Sequence, residues 1–357
     1  MGFTGTFCGR CNVSAVERPL GHGEVIHGLW RALERGRLPH ALLFEGPAGI
    51  GKFMAARWFA QGVYCAQRNL DSGWDGPCGE CGPCKRFSGD SHPDVFVLDP
   101  LEQEMESIKV AAVAERDQTS STVCGFFRLR AMEGKQRTVI VREFERAEIS
   151  AQNALLKTLE EPGEDALLIL ETSRADLLLE TIRSRCVTVR FSGLDGADCA
   201  RALGRGEGQQ YVQWAAGSPG TALRLGREGA AEVRAVIGQV LAGQLDPFAA
   251  TGRVLDAPGE FAGGTPTAQI RARTRSALDL LLAVLRDGLR AEEGQDPASL
   301  AHGDLAQLAA GRAVEWGAAI QRVIALRGEV ELNLNPEGVL DRALLQLPVG
   351  DPTKTGA

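Results

Sequence analysis

Residues 46–53, Gly46-Pro-Ala-Gly-Ile-Gly51-Lys52-Phe53, decide how the chain is read. They follow the apolar run 41–44 and open a helical pattern of Met54, Ala55, Trp58 and Phe59. Strand, glycine loop and helix in that order make a phosphate-binding loop: backbone amides and the helix N-terminus face the anion, and the lysine reaches its outer phosphates. A tight turn that uses glycine for geometry alone accounts for neither Lys52 nor the flanking pattern. Gly46, Gly49, Gly51 and Lys52 are therefore the candidate nucleotide contacts.

Before the loop, Val25, Ile26, Leu29, Trp30 and Leu33 recur at helical spacing. Beyond it, the runs 94–98, 138–141, 166–170 and 187–191 predict further buried strands, and 151–160 predicts a helix between two of them. Strands alternating with helices imply an α/β fold whose parallel sheet is covered on both faces. From about residue 193 the strand signals stop and alanine- and leucine-rich helical patterns take over, broken by loops at 257–266 and 294–297. A chain of 357 residues is too long for one ordinary core, so two or three domains are expected.

The loop has lost part of its chemistry. The residue after the lysine should carry a hydroxyl for the magnesium ion that bridges the outer phosphates, and Phe53 has no oxygen to offer. The strand 138–141 should end in Asp-Glu, the aspartate ordering the metal and the glutamate polarising water; it ends in Arg142-Glu143. A cation at the metal position repels magnesium, so two defects fall on one ion and hydrolysis is not expected. Glu143 is read as a solvent-facing carboxylate at a strand end rather than a catalytic base. Whether ATP still lodges in the loop stays open.

Forty-six acidic against 39 basic residues give a net charge of −7, which excludes binding to nucleic acid by bulk phosphate neutralisation. No signal pattern opens the chain and no apolar stretch is long enough to cross a bilayer, so a cytoplasmic location is expected. Thiols stay reduced there, and the nine cysteines are not read as disulfides. Cys65, Cys78, Cys81 and Cys84 are spaced C-x12-C-x2-C-x2-C, with Gly79, Gly82 and Pro83 permitting tight turns. Four thiolates at that spacing suit a closed tetrahedral Zn2+ site, which leaves no position for water and is structural. Few basic residues lie within the segment, with Arg68 and Arg86 at its flanks, which argues against a DNA-binding finger. Cys8 and Cys11 have no second pair nearby and read as reduced; Cys124, Cys186 and Cys199 read as buried small residues. The tail 350–357 is small, polar and expected to fray.

Three further stretches, Gly36-Arg-Leu-Pro-His-Ala41, Asn153-Ala-Leu-Leu-Lys-Thr-Leu-Glu-Glu-Pro162 and Thr181-Ile-Arg-Ser-Arg-Cys186, together resemble the bacterial clamp-loader AAA+ family over most of the chain. The resemblance implies an AAA+ P-loop parallel-sheet domain over 15–192 with a zinc module at about 62–90, a small helical lid over 193–232 and an all-helical collar over 233–350. Members of the family carry a zinc module after the loop helix, with a first spacing usually shorter than the one here. The segment Asn333-Leu-Asn335-Pro336 before a final helix is typical of the collar.

The same resemblance assigns site residues. Arg185, in Ser184-Arg185-Cys186, would act in trans as an arginine finger on a neighbouring subunit's ATP. A guanidinium is always charged and forks onto phosphate oxygens, and such fingers contribute about a thousandfold or more to rate. Thr172 or Ser173 would supply a polar contact to the γ-phosphate, whereas Thr221 stands where the family usually has a nucleotide-sensing arginine. The lost magnesium ligands place the chain with members that do not hydrolyse. The resemblance then implies an accessory subunit of a DNA polymerase holoenzyme, assembled with gamma/tau and delta type subunits, that would reach the sliding clamp and primed DNA through the complex. The alternative is an ATP-hydrolysing gamma/tau-type subunit whose metal is recruited by other groups.

Overall fold

A computed structural model describes residues 16–69, 74–103, 105–114, 122–133, 136–163, 165–206, 208–261, 265–309, 315–331 and 335–348. Cys8, Cys11, Asn333 and the tail 350–357 lie outside the described residues. The chain divides into two units, Met1–Asp198 and Cys199–Ala357.

The first unit runs α1 (Gly23–Glu34), β1 (Ala41–Glu45), α2 (Lys52–Tyr64), α3 (Gly82–Ser88), β2 (Val95–Leu98), α4 (Val110–Val113), α5 (Val123–Phe127), β3 (Arg137–Val141), α6 (Ile149–Glu160), β4 (Ala166–Thr172), α7 (Glu180–Arg183) and β5 (Val187–Arg190). Its five strands form one parallel sheet in the order β2-β3-β4-β1-β5. Successive side chains of a strand point to opposite faces, and both faces are apolar here. Ala41 and Leu43 of β1, Val139 and Val141 of β3, and Leu168 and Leu170 of β4 pack with Ala151, Leu155 and Leu159 of α6. The residues between them, Leu42, Phe44, Ile140, Leu167 and Ile169, pack with Ile26 and Trp30 of α1 and with Ala55, Ala56 and Phe59 of α2. Hence the central strands read as continuous apolar runs.

Two contacts fix α2 across this layer. The Trp30 indole N–H donates to the Phe59 carbonyl (3.2 Å), and the Tyr64 hydroxyl bonds Thr138 Oγ1 (2.9 Å) and the Asp94 carbonyl (3.0 Å), tying the end of α2 to the sheet. The start of α2, and with it the glycine loop, is thereby set at the C-terminal end of β1.

The run 187–191 departs from its expected burial. β5 pairs only with β1 among the described strands, and Val187 is 50% exposed while Thr188 and Arg190 are exposed too. Its sequence Val-Thr-Val-Arg alternates apolar and polar, a pattern suited to an edge.

The second unit contains only helices among its described regular elements. α8 (Gly196–Leu203) crosses the division and is followed by α9 (Pro219–Arg227), α10 (Ala230–Leu241), α11 (Pro247–Leu255), α12 (Pro266–Glu292), α13 (Gly303–Leu308), α14 (Trp316–Glu331) and α15 (Pro336–Leu344). Four of these start the same way: a side-chain oxygen of Ser218, Asp246, Thr265 or Asn335 accepts from a first-turn N–H, and proline follows at the first helical position. Proline there lacks only an N–H that has no helical partner anyway. No helix among the described residues is long and apolar enough to cross a membrane.

Candidate functional site

The glycine loop leaves β1 at Gly46, where a side chain would collide with the Phe191 carbonyl. Gly49 (φ 73°) and Gly51 (φ 96°) take left-handed conformations that L side chains rarely adopt, and Gly51 caps α2. Lys52 is the first residue of α2, and its side chain is only 1% exposed. Its ammonium donates to the Pro47 carbonyl (2.8 Å) and pairs with Glu171 Oε1 at 2.9 Å. Glu171 stands at the end of β4, adjacent to β1, and its Oε2 accepts from the Glu143 backbone N–H (2.9 Å).

The positions of the two missing magnesium ligands come together. The Arg142 guanidinium lies 4.8 Å from the centre of the Phe53 ring and bonds Asp99 Oδ2 at 2.9 Å. Asp99 in turn accepts from the Leu101 backbone N–H (3.0 Å), which holds the carboxylate in place. Residues from two separate motifs therefore meet at one spot, where their chemistry is that of a cation stacked on an aromatic ring.

Glu143 is not simply solvent-facing. It takes a left-handed turn conformation (φ 47°), and Arg146 Nε bonds its carboxylate at 2.5 Å. The chain reverses sharply after β3, and that turn folds the side chain back onto the next turn of chain. Ser173 donates from its hydroxyl (2.5 Å) and backbone N–H (3.1 Å) to Glu145 Oε1, and Thr172 is buried with its hydroxyl accepting from the Arg174 N–H. In the second unit, the Thr221 backbone N–H donates to Ser218 Oγ, the cap of α9.

Arg185 sits in the turn after α7. Its guanidinium donates to the Thr181 carbonyl (3.0 Å) and to Glu160 Oε1 (2.7 Å) while its side chain stays 35% exposed. The neighbouring Cys186 is buried, and burial pushes its thiol up to about 12. The motif is thus divided between an anchor inside and a cation at the surface.

Cys65 at the end of α2, Cys78, Cys81 at the cap of α3 and Cys84 within α3 converge, with their sulfurs all within 4.8 Å of one another. Gln61 of α2 ties the two helices by donating to the Cys84 carbonyl (3.1 Å) and Ser88 Oγ (3.0 Å). Burial raises the Cys65 and Cys84 thiols. Burial works the same way on Cys81, but the backbone N–H groups of Ala66 and Cys84 outweigh it and bring that thiol down to about 7. Four soft sulfur donors crowded this closely fit a metal ion, which would neutralise the repulsion between their thiolate forms.

Asp99 and Glu145 do not stand out in the sequence, and Glu160 does so only as part of the stretch 153–162. The one available signal is Glu171 itself, an acid ending an apolar run at the centre of a sheet, where a carboxylate is costly to bury without a partner.

A parallel sheet carrying a glycine loop, lysine and helix after one of its inner strands defines a P-loop protein. Residues 21–195 match the model of a family described as DNA polymerase III, delta subunit. The chain is 38% identical over 218 residues to the DNA polymerase III subunit delta' of Pseudomonas aeruginosa, covering 58% of this chain and 62% of that one. It is 32% identical over 166 residues to subunit delta' of Bacillus subtilis, covering 46% of each. Against DNA polymerase III subunit tau of Bacillus subtilis the identity is 31% over 175 residues, covering 49% of this chain and 28% of that one. The alignments thus span less than two thirds of these curated relatives. Over residues 21–195 the chain is thus similar to DNA polymerase III delta subunits, with subunits delta' and tau among its curated relatives.

Proposed function

We propose that this chain serves as the delta-prime type subunit of a bacterial clamp loader, without ATPase activity of its own, working in the cytoplasm with gamma/tau and delta type subunits. The observation that carries the reading is the stacking of Arg142 on Phe53. Both positions belong to magnesium in a hydrolysing P-loop, and here they are filled by a cation and a ring that hold each other. Such a pocket offers neither of the two side-chain oxygens that would hold the ion that neutralises charge on a transferring phosphoryl group.

What remains is Arg185. Its surface position leaves it free to reach a neighbouring subunit's ATP, at the cost of a half-exposed ion pair with Glu160 that contributes little in water. In this reading, residues 193–232 form the lid and 233–350 the collar that joins the ring, and the clamp and primed DNA are met through the complex. The four-cysteine cluster holds structural zinc.

The test is reconstitution. The purified chain with magnesium and ATP should show no turnover above background, and it should assemble with gamma/tau and delta type subunits from the same organism. Arg185→Ala should leave assembly intact and lower turnover at the site it faces by roughly a thousandfold. Robust magnesium-dependent turnover by the chain alone would instead support the gamma/tau-type alternative. In that case Phe53→Ser with Arg142→Asp would change little.

A further inference from the structure

Lys52 is already bound to an anion, and the anion is part of the chain. Its ammonium meets Glu171 Oε1 at 2.9 Å, both side chains are buried, and the second Glu171 oxygen is held by the Glu143 backbone N–H at 2.9 Å. The lysine of a phosphate-binding loop is there to meet an outer phosphate oxygen. A carboxylate oxygen offers the same charge and the same hydrogen-bond geometry to an ammonium donor. Glu171 is also tethered, so it occupies the lysine without the entropy that a free ligand loses on binding.

The rest of the pocket agrees with this. A hydrolysable nucleotide would enter with its metal, whose position is filled by Phe53 and Arg142, with Arg142 fixed in turn by Asp99. A nucleotide without metal would bring its phosphates against the Glu171 carboxylate at short range in a site shielded from water. Displacing Glu171 from Lys52 would leave a buried carboxylate that has lost its ion-pair partner.

We propose that Glu171 is the residue that decides what this loop accepts: it acts as a built-in stand-in for an outer phosphate and closes the loop to nucleoside di- and triphosphates. The inference deepens the reading of a subunit without turnover, since it concerns binding and not only hydrolysis. The loop is then a site filled from within by β4, and removing one charge reopens it.

The experiment measures binding of a fluorescent ADP to the full chain by anisotropy, in EDTA so that hydrolysis and metal play no part. The wild type should show no saturable binding. Glu171→Ala and the closer mimic Glu171→Gln should bind saturably, on the order of a hundredfold tighter than the weakest binding that the assay would detect for the wild type. That binding should be lost when Lys52→Ala is added, and pyrophosphate should compete for it, which shows that phosphates and not the base are recognised. Tight binding by the wild type overturns the proposal. So does a folded Glu171→Gln chain that gains none, or unfolding of both variants, which would assign Glu171 to stability alone. Turnover assayed separately with magnesium keeps the two readings apart. A wild type without turnover whose variants gain no binding sinks only this inference, whereas a wild type with turnover sinks the non-hydrolysing reading.

Discussion

His302 in the second unit is fully buried, with Nδ1 accepting from Arg234 Nε (3.1 Å) and its backbone N–H donating to Asp287 Oδ2 (2.9 Å). Burial foremost, then the Arg234 charge, push its pKa down to about 4, and the carboxylates of Asp287 and Asp304 offset only part of this. The unfolded chain takes up that proton near pH 6.5, so between about pH 6.5 and 4 the unfolded state binds more protons than the folded one. The contribution is full above pH 6.5 and lost as pH falls, with about 2 kcal/mol gone by pH 5. His302→Asn retains an acceptor near Nδ1 but cannot titrate. Its urea midpoint should therefore drop less than that of the wild type between pH 7.5 and pH 5, and equal drops would assign the acid sensitivity to other groups. The same scale shows what a sequence conceals. Phe53, Arg142 and Arg185 stand at fixed offsets within motifs and could be read directly, whereas Glu171 and His302 gain their roles from partners 119 and 68 residues away that no local pattern announces.

At the scale of elements, α1 and α2 approach so closely that Gly62 has no room for a side chain. A Cβ there would lie 2.7 Å from Trp30 Nε1 and 2.8 Å from two ring carbons, and Trp30 is itself buried and hydrogen-bonded to Phe59. Replacing a helical glycine by alanine normally stabilises by about 1 kcal/mol, but overpacking against a fixed ring costs about 1–3 kcal/mol. The second effect wins, so Gly62→Ala should lower the thermal midpoint by roughly 2 to 6 °C, and a raised midpoint would show that the ring can move aside. The α2–α3 junction joins its four cysteines to the core that Phe59 and Phe87 share. A zinc-loaded chain should release its metal to a strong chelator with a drop in thermal midpoint, and Cys81→Ser should bind zinc more weakly. A chain with no bound metal and an unchanged midpoint after chelation would remove the ion from the account. Strand and helix positions were legible here because the central strands are continuous apolar runs and α6 keeps a strict helical period. β5 departs from the expected burial because the apolar residues of 187–191 outweigh, in a run this short, the alternation that marks an edge, and α4 and α5 are too short to announce themselves.

For the whole molecule, the division at Asp198 separates two kinds of chemistry. The first unit contains the glycine loop, the Lys52–Glu171 pair, the four cysteines and Arg185; the second holds helices packed through apolar faces, with the buried His302–Asp287 contact among them. Helical periodicity cannot distinguish a collar from any other bundle, since every amphipathic helix buries one face whatever it joins. If assembly resides in the second unit, a chain ending at Gly206, which keeps α8 whole, should retain zinc and a folded sheet yet fail to co-purify with gamma/tau and delta type subunits. Arg185→Ala in the full chain should do the opposite, preserving assembly and losing turnover. The pair of variants separates holding the ring together from completing a neighbour's site. Normal co-purification of the shortened chain would move the assembly surface onto the sheet unit, and a loss of assembly in the Arg185 variant would make that arginine an interface residue and not a finger.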